Sequence, residues 1–188
     1  MRRILLAGLL LLQPVALPAA NVAGVDLPDR VKPQGMKQTL VLNGAGVRRK
    51  FFFRIYIGAL YLPQPDSSAA AVIGSDAPSR VLMHFVYHEV SRDKLTAAWW
   101  DGFRDNLDAA TLRALTPRIG KFAALFDDAR EGDRIWLDYL PGQGTRVTVN
   151  GRVRGVIPGA DFHRALLRIW LGDEPVAGDL KRAMLGLD

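Results

Sequence analysis

The chain has 188 residues, of which 49% are hydrophobic and 23% charged, the usage of an ordinary globular domain. Its 25 basic and 19 acidic residues give a formal charge of +6, and without Arg2 and Arg3 the 23 remaining basic residues give +4. The basic residues are scattered, with no run of the aromatic-interleaved kind that follows a nucleic acid backbone. The charge is compatible with an anionic ligand or a membrane surface but does not indicate nucleic acid binding.

The N-terminal segment has the order of an export signal. Two arginines precede an apolar run from Ile4 to Leu12, and small residues follow up to Ala20. The run is much shorter than the roughly 20 residues of a transmembrane helix, and we expect no transmembrane segment in the mature chain. We therefore predict a signal peptide at residues 1–20 and a single domain at residues 21–188. An N-terminal membrane anchor and an ordinary first helix are the alternatives.

The hydrophobic pattern predicts strands in hairpins that are separated by blocks of helix. In the first half of the chain, we predict an extended lead-in at 21–38 with a short edge strand, a strand at 39–43, a glycine turn at 44–46, a strand at 50–62, a short helix at 68–73 and a strand at 80–87. In the second half, we predict a helix from Ser91, a helix at 111–126 broken by Pro117, strands at 133–140, 145–149 and 152–157, and helices at 160–171 and 177–185.

Three local signals support this order. Ser91 has the residue type of a helix N-cap, and Asn150-Gly151 is a strong hairpin signal. Strict alternation along residues 50–62 places Ile55 and Tyr56 on opposite faces of the strand. Together the elements indicate an α+β domain with a mainly antiparallel sheet.

Residues for familiar catalytic and metal chemistry are scarce. The chain has no cysteine, and neither a nucleophile elbow nor a phosphate-binding loop is present. His84 and His88 would lie roughly 13 Å apart along a strand, too far to share one zinc ion. His163 is the remaining histidine. We therefore predict no metal site and no cofactor.

A glycine-rich stretch followed by three cations, residues 44–50, is a candidate binding element. Glycines allow close backbone approach, and an arginine such as Arg48 presents a planar fork to a carboxylate. The alternative is a solvated turn whose charges serve solubility.

Several segments resemble the chalcone isomerase family. They are Leu-Asn-Gly-Ala-Gly-Val-Arg at 42–48, the strand ending in Gly-Ala-Leu-Tyr-Leu at 58–62, and Ile-Pro-Gly-Ala at 157–160. The resemblance covers nearly the whole predicted mature chain and is closest to the bacterial chalcone-isomerase-like proteins. It implies an open-faced β-sandwich, a large antiparallel sheet with helices packed on one face and a ligand cleft between them. Combined with the export signal, it points to the periplasm.

The resemblance also carries an expectation about catalysis. The family's catalytic arginine corresponds to Arg48, but its other polar positions correspond to Tyr56, Val90, Ala97 and about Ile169. Because most of the catalytic set is missing, the resemblance implies a non-catalytic protein. The plant fatty-acid-binding branch pairs the arginine with a tyrosine on the next strand, and Arg48 with Tyr56 resembles that pair.

We therefore interpret the chain as a binding protein for a fatty acid or a similar amphipathic carboxylate. Arg48 and Tyr56 would hold the head group, and Trp99, Phe103 and Ile169 would line or plug the cleft, with Trp100 and Trp170 as further candidates. One alternative is a ligand-free accessory protein, favoured if tryptophans fill the cleft and an acidic residue neutralises Arg48. The other is an isomerase acting through Arg48. The sequence does not indicate an oligomeric state.

Overall fold

The computed structural model describes residues 19–187, so residues 1–18 of the predicted signal peptide lie outside the described residues. The signal peptide therefore stays a prediction. The elements are β1 (Ala19–Val22), β2 (Val25–Pro28), β3 (Arg30–Val31), β4 (Leu40–Lys50), β5 (Phe53–Leu62), α1 (Ala69–Gly74), β6 (Ser79–Phe85), β7 (Glu89–Val90), α2 (Arg92–Asn106), α3 (Ala109–Ala123), β8 (Ala129–Arg130), β9 (Arg134–Leu140), β10 (Gly144–Val149), β11 (Arg152–Ile157), α4 (Ala160–Leu171) and α5 (Gly178–Met184).

A seven-stranded sheet organises the domain. Its strand order is β11-β10-β9-β6-β5-β4-β3, and every neighbouring pair is antiparallel. Strands β1 and β2 pair separately, as do β7 and β8. The larger hydrophobic cluster contains buried residues from all five helices and from one face of the sheet. The prediction of an α+β fold with helices on one face of a large antiparallel sheet is confirmed. No helix within residues 19–187 is long and apolar enough to cross a bilayer.

The β1–β2 hairpin and the segment around Met36 cover only part of the opposite face of the sheet. A second cluster joins Leu27 of β2 and Met36 to sheet residues that include Tyr61. Beside it, Asp138 is buried and accepts two hydrogen bonds from Arg80, at 2.6 and 2.9 Å, and one from Arg146 at 2.9 Å. These three charged residues lie on the adjacent strands β6, β9 and β10, so a compact ion triad ties the middle of the sheet together.

Two of the local signals are confirmed. The Ser91 hydroxyl accepts a hydrogen bond from the Lys94 amide, so α2 begins with its predicted N-cap. Asn150 and Gly151 have φ values of 49° and 79°, the left-handed backbone that a two-residue hairpin between β10 and β11 requires.

The predicted break at Pro117 is wrong, because α3 continues through it from Ala109 to Ala123. The hydroxyl of Thr116 donates to the Leu112 carbonyl, so this turn of the helix keeps a local hydrogen bond beside the proline. The wider packing outweighs the local penalty, since Leu115, Ile119 and other apolar residues of α3 are buried in the core.

The predicted glycine turn at 44–46 is also wrong. Strand β4 runs without interruption from Leu40 to Lys50, and the hairpin turn falls later, at Phe51 and Phe52. The glycines instead allow α5 to lie directly on the sheet, since a Cβ on Gly46 would be 2.6 Å from the Ala183 Cβ. Close helix packing rather than chain reversal explains these glycines.

The strict alternation along β5 fails at Ile55. Arg48 of β4 pairs with Tyr56 of β5, but the next residue of β4, Arg49, pairs with Arg54. The register between the two strands therefore shifts by one residue, and Ile55 has no partner on β4. Ile55 is thus the extra residue of a β-bulge. Its side chain packs against the helix-covered cluster, on the side to which Tyr56 also contributes.

Candidate functional site

Arg48 and Tyr56 lie directly opposite each other on β4 and β5. Residues paired in this way on antiparallel strands project from the same face, with their Cβ atoms about 5 Å apart. That face is the one covered by helices, since Tyr56 belongs to the larger cluster. The tyrosine is buried and the arginine is half-buried. The register of one hairpin therefore brings a guanidinium and a phenol together beneath the helices.

A cavity of about 470 Å³ opens beside this pair, between the sheet and α2. Its volume lies within the range of small-molecule sites. The buried part of its wall is mostly apolar and comes from β5, β6, α2 and α4: Tyr56, Met83, Phe85, Leu95, Trp99 and Ile169. A cavity of this volume and lining suits the apolar tail of a ligand.

The mouth of the cavity carries an excess of available positive charge. Two acidic residues lie there, but Glu89 accepts a hydrogen bond from Arg130 at 3.0 Å, and Asp101 pairs with Arg104. Three cations line the cavity: Arg48 and Lys50 on β4, and Lys94 on α2. Within residues 19–187, none of these three forms an ion pair. The mouth is therefore complementary to an anionic group.

The hydroxyl of Tyr56 is oriented by a tryptophan. The indole N–H of Trp170, on α4, donates a hydrogen bond of 3.0 Å to the Tyr56 oxygen. Burial raises the pKa of Tyr56 to about 12, although the bond from Trp170 and the charge of Arg48 both lower it. The phenol therefore keeps its proton at neutral pH. Because indole is a donor only, Tyr56 accepts from Trp170 and its own proton is left to donate elsewhere.

Four of the five residues predicted for the site surround the cavity. Arg48, Tyr56, Trp99 and Ile169 all line it. Phe103 does not: it is fully buried, with its ring centroid 5.7 Å from that of Phe162 and 6.4 Å from that of Phe122. Helical periodicity places Phe103 one turn beyond Trp99 on the buried stripe of α2, and at that depth the stripe belongs to the core.

The further tryptophan candidates do not fill the cavity. Trp100 packs against the large cluster, and Trp170 lies behind Tyr56; neither lines the cavity wall. Trp99 contacts the ring of Trp170 edge-on, with centroids 5.8 Å apart. Its buried indole N–H has no hydrogen-bond partner among the described residues.

Strand β6 also contributes to the cavity, which the sequence pattern did not predict. Met83 and Phe85 line the cavity and alternate with side chains that face the other way. Alternation along residues 80–87 could have indicated that Met83 and Phe85 share one face of their strand. It does not indicate which strand lies next to β5, so it could not place these residues at the cavity. No group of three or more His, Asp or Glu residues in 19–187 is arranged to hold a metal ion.

A sheet covered by helices on one face, with an amphipathic cavity between the layers, defines the class of open-faced β-sandwich proteins. The sequence profile of the chalcone isomerase-like family matches residues 19–186 of this chain. The chain therefore belongs to the chalcone isomerase-like family.

A solved structure with a similar fold is a fatty-acid binding protein of Arabidopsis thaliana. The TM-score is 0.67 over 86% of this chain and 92% of that chain, with 15% sequence identity. At 15% sequence identity, this similarity shows a shared fold and does not by itself show a shared function. A comparison with the sequences of curated proteins found no match.

Proposed function

We propose that this protein is a non-catalytic binding protein for a fatty acid or a similar amphipathic carboxylate. The carboxylate would lie against Arg48 and Tyr56, and the acyl chain would occupy the cavity beside them. The observation that carries the proposal is the half-buried guanidinium of Arg48, which lies at the wall of an apolar cavity and forms no ion pair with any residue in 19–187.

An unpaired cation in this position has an energetic consequence. A guanidinium that is partly removed from water without an anionic partner lowers the stability of the folded state. A ligand carboxylate would accept its charge-assisted hydrogen bonds, each contributing about 1.5–3 kcal/mol. The fatty-acid binding protein of Arabidopsis thaliana, which shares the fold, supports this choice of ligand class.

Tyr56 supports the same ligand. Its hydroxyl is protonated at neutral pH and accepts from Trp170, so it can donate one hydrogen bond to a carboxylate oxygen. Arg48 and Tyr56 would then bind the two oxygens of one head group. The apolar wall adds no directional preference, so chain length rather than chain chemistry would determine affinity for the tail.

The isomerase alternative has less support. Val90, Ala97 and Ala98 line the cavity near Lys94, and none carries a group that donates or accepts a proton. The ligand-free alternative required a filled cleft and an acidic partner for Arg48. The cavity of about 470 Å³ weighs against it, and so does the lack of an acidic partner for Arg48 in the described part of the chain.

We further propose that the protein acts in the periplasm. The support is the sequence pattern at residues 1–20, with its two arginines, short apolar run and small residues. The full-length chain, produced in a Gram-negative bacterium, should be recovered by osmotic shock with a mass that lacks this segment. Recovery of the uncut chain from the cytosol would contradict the localisation.

Calorimetric titration of delipidated protein tests the binding proposal. We expect a long-chain fatty acid to bind much more tightly than the alcohol of the same length, because only the acid engages the Arg48 charge. Arg48→Gln should weaken acid binding by about ten- to a hundredfold and leave alcohol binding unchanged. Tyr56→Phe, which keeps the ring but removes the hydroxyl, should weaken binding of the fatty acid by about tenfold.

Arg49→Gln is the matched control. It removes one positive charge from the neighbouring position on β4, but Arg49 does not line the cavity. If Arg49→Gln and Arg48→Gln have equal effects, net charge rather than a carboxylate site explains the binding. Delipidated wild-type protein without affinity for any fatty acid would overturn the proposal.

A further inference from the structure

The tip of the β4–β5 hairpin exposes three consecutive phenylalanines. Phe51 is 85% exposed, Phe52 is 98% exposed and Phe53 is 55% exposed. Phe51 also has a φ of 54°, in the left-handed region that bulky side chains rarely adopt. A tight turn is usually occupied by Gly or Asn, so Phe51 strains the turn without burying its ring. An apolar tip of this kind marks an interaction site.

Basic residues flank the phenylalanines on both strands. Arg49 and Lys50 end β4, and Arg54 lies at the start of β5; all three are exposed. Arg49 and Arg54 are directly opposite each other, and like charges in this arrangement destabilise a strand pair. Within residues 19–187, no acidic side chain pairs with any of the three.

We propose that this hairpin tip docks on an anionic lipid bilayer. Phe51 and Phe52 enter the boundary between head groups and acyl chains, while Arg49, Lys50 and Arg54 contact the anionic head groups. The chemistry matches that of interfacial membrane anchors, which combine apolar side chains with flanking Lys and Arg. The anionic surface also removes the repulsion between the two opposed arginines.

The shape of the tip favours a bilayer over a protein partner. Phe51 and Phe52, the two most exposed rings, lie at the turn itself, whereas the ring of Phe53 packs edge-on against Tyr87 with centroids 5.5 Å apart. A stable protein interface buries about 800 Å² on each partner, whereas binding at a bilayer surface needs only a small inserted apolar area together with attraction between cations and anionic head groups.

The tip is continuous with the cavity. Lys50, Phe51 and Phe53 form part of its lining, beside Arg48. A docked tip therefore holds the cavity mouth close to the membrane surface, so that an acyl chain passes between bilayer and protein with little exposure to water. This last step rests on the proposed function; the docking itself does not.

Vesicle flotation tests the docking. Wild-type protein should float with phosphatidylglycerol-containing vesicles at about 0.05 M salt and much less at about 0.5 M salt. Binding to phosphatidylcholine vesicles should be at least about tenfold weaker. Phe51→Ser/Phe52→Ser should reduce binding to the anionic vesicles at least about tenfold. Its control is Val153→Ser/Val156→Ser, which removes exposed apolar side chains from the edge strand β11.

The charges are tested in the same way. Arg49→Gln/Lys50→Gln should weaken binding to anionic vesicles at least about tenfold. Lys32→Gln/Lys37→Gln removes the same charge from exposed positions outside the hairpin and should bind as the wild type does. If both pairs have the same effect, net charge alone drives binding and the proposal is wrong.

The absence of cysteine permits a direct measurement at the tip. A polarity-sensitive label on Phe52→Cys should shift to the blue with anionic vesicles and be quenched by lipids that carry a quencher near the head group. The same label on Val153→Cys should not respond. Flotation without a response at Phe52→Cys would mean that another surface binds lipid and would overturn the proposal.

The two proposals can fail independently. Wild-type protein that binds fatty acid in solution but floats with neither type of vesicle would overturn the docking alone. Protein that docks through the phenylalanines but has no affinity for any fatty acid would overturn the proposed function alone.

Discussion

Acidification should destabilise the domain through one buried histidine. His163, on α4, is 3% exposed, and its ring stacks on Tyr139 with centroids 4.0 Å apart. Ser79 lies within hydrogen-bond distance of it, at 3.1 Å. Burial lowers the pKa of His163 from 6.5 to about 3; the charge of Arg164 acts in the same direction, and that of Asp76 opposes it.

The sign and size of the effect follow from linkage. Below pH 6.5 the unfolded chain binds a proton on this histidine, whereas the folded chain does not until the pH approaches the pKa of about 3. Stability is therefore fully present above pH 6.5 and is lost as the pH falls. Between about pH 7.5 and about pH 5, this one group should lower the free energy of unfolding by about 2 kcal/mol.

Urea denaturation at the two pH values measures this loss. His163→Gln should be less stable at neutral pH but should lack this part of the pH dependence. His84 adds a loss in the same direction, because burial and Arg134 lower its pKa too. His88→Gln, at an exposed position, is the control and should behave as the wild type does. If His163→Gln retains the full loss, the reasoning is wrong.

Three further predictions concern the ion triad, the glycine contact and the cavity. Asp138→Ala leaves two guanidinium groups unpaired and should lower the free energy of unfolding in urea by about 3–5 kcal/mol. Gly46→Ala should lower it by about 1–3 kcal/mol, because its Cβ would be 2.6 Å from that of Ala183; Gly74→Ala, with open space around it, should not. Calorimetry with fatty acids of increasing length should show affinity rising by about fourfold per CH₂ until the cavity is full, then levelling. A length-independent affinity would contradict burial of the chain.

The local chemistry of the sequence was sufficient for most of the elements. Strand β11 has its predicted bounds, Arg152–Ile157, because Asn150-Gly151 fixes the hairpin before it. Helix α2 begins at its predicted cap, Ser91. Both features depend on residues within a few positions of each other, and such interactions are encoded in short stretches of chain.

The incorrect predictions concern places where segments that are far apart in the sequence come into contact. Glycines at 44–46 satisfy a turn and a close helix contact equally well, and only the position of α5 decides between them. The bulge at Ile55 depends on the register between two strands, which alternation along one strand does not contain. Likewise the bond from Trp170 to Tyr56 joins residues 114 positions apart, so no local pattern predicts it.

The candidate site was predictable where it depends on residues close in sequence, and not where it depends on how the helices pack. Arg48 and Tyr56 are close in sequence, and the family resemblance pointed to both. Whether the cavity beside them is open depends on how α2 and α4 lie over the sheet. Phe103 illustrates this, because helical spacing placed it on the correct face of α2 but could not give its depth in the core.

Several features that lower the stability of the folded state lie at the cavity end of the domain. The middle of the sheet has its buried charges paired in the triad around Asp138. At the cavity end, Arg48 forms no ion pair and the indole N–H of Trp99 has no hydrogen-bond partner among residues 19–187. Arg49 and Arg54 are opposed there, and Phe51 is exposed and strained. Each of these lowers stability in the free protein, and a sequence selected for stability alone would replace them. An anionic amphipathic ligand would pair Arg48, and a bilayer would cover the phenylalanines and neutralise the opposed arginines. Because the ligand and the bilayer would each bind only the folded protein, each should raise its melting temperature. A ligand or a bilayer without negative charge should raise the melting temperature less.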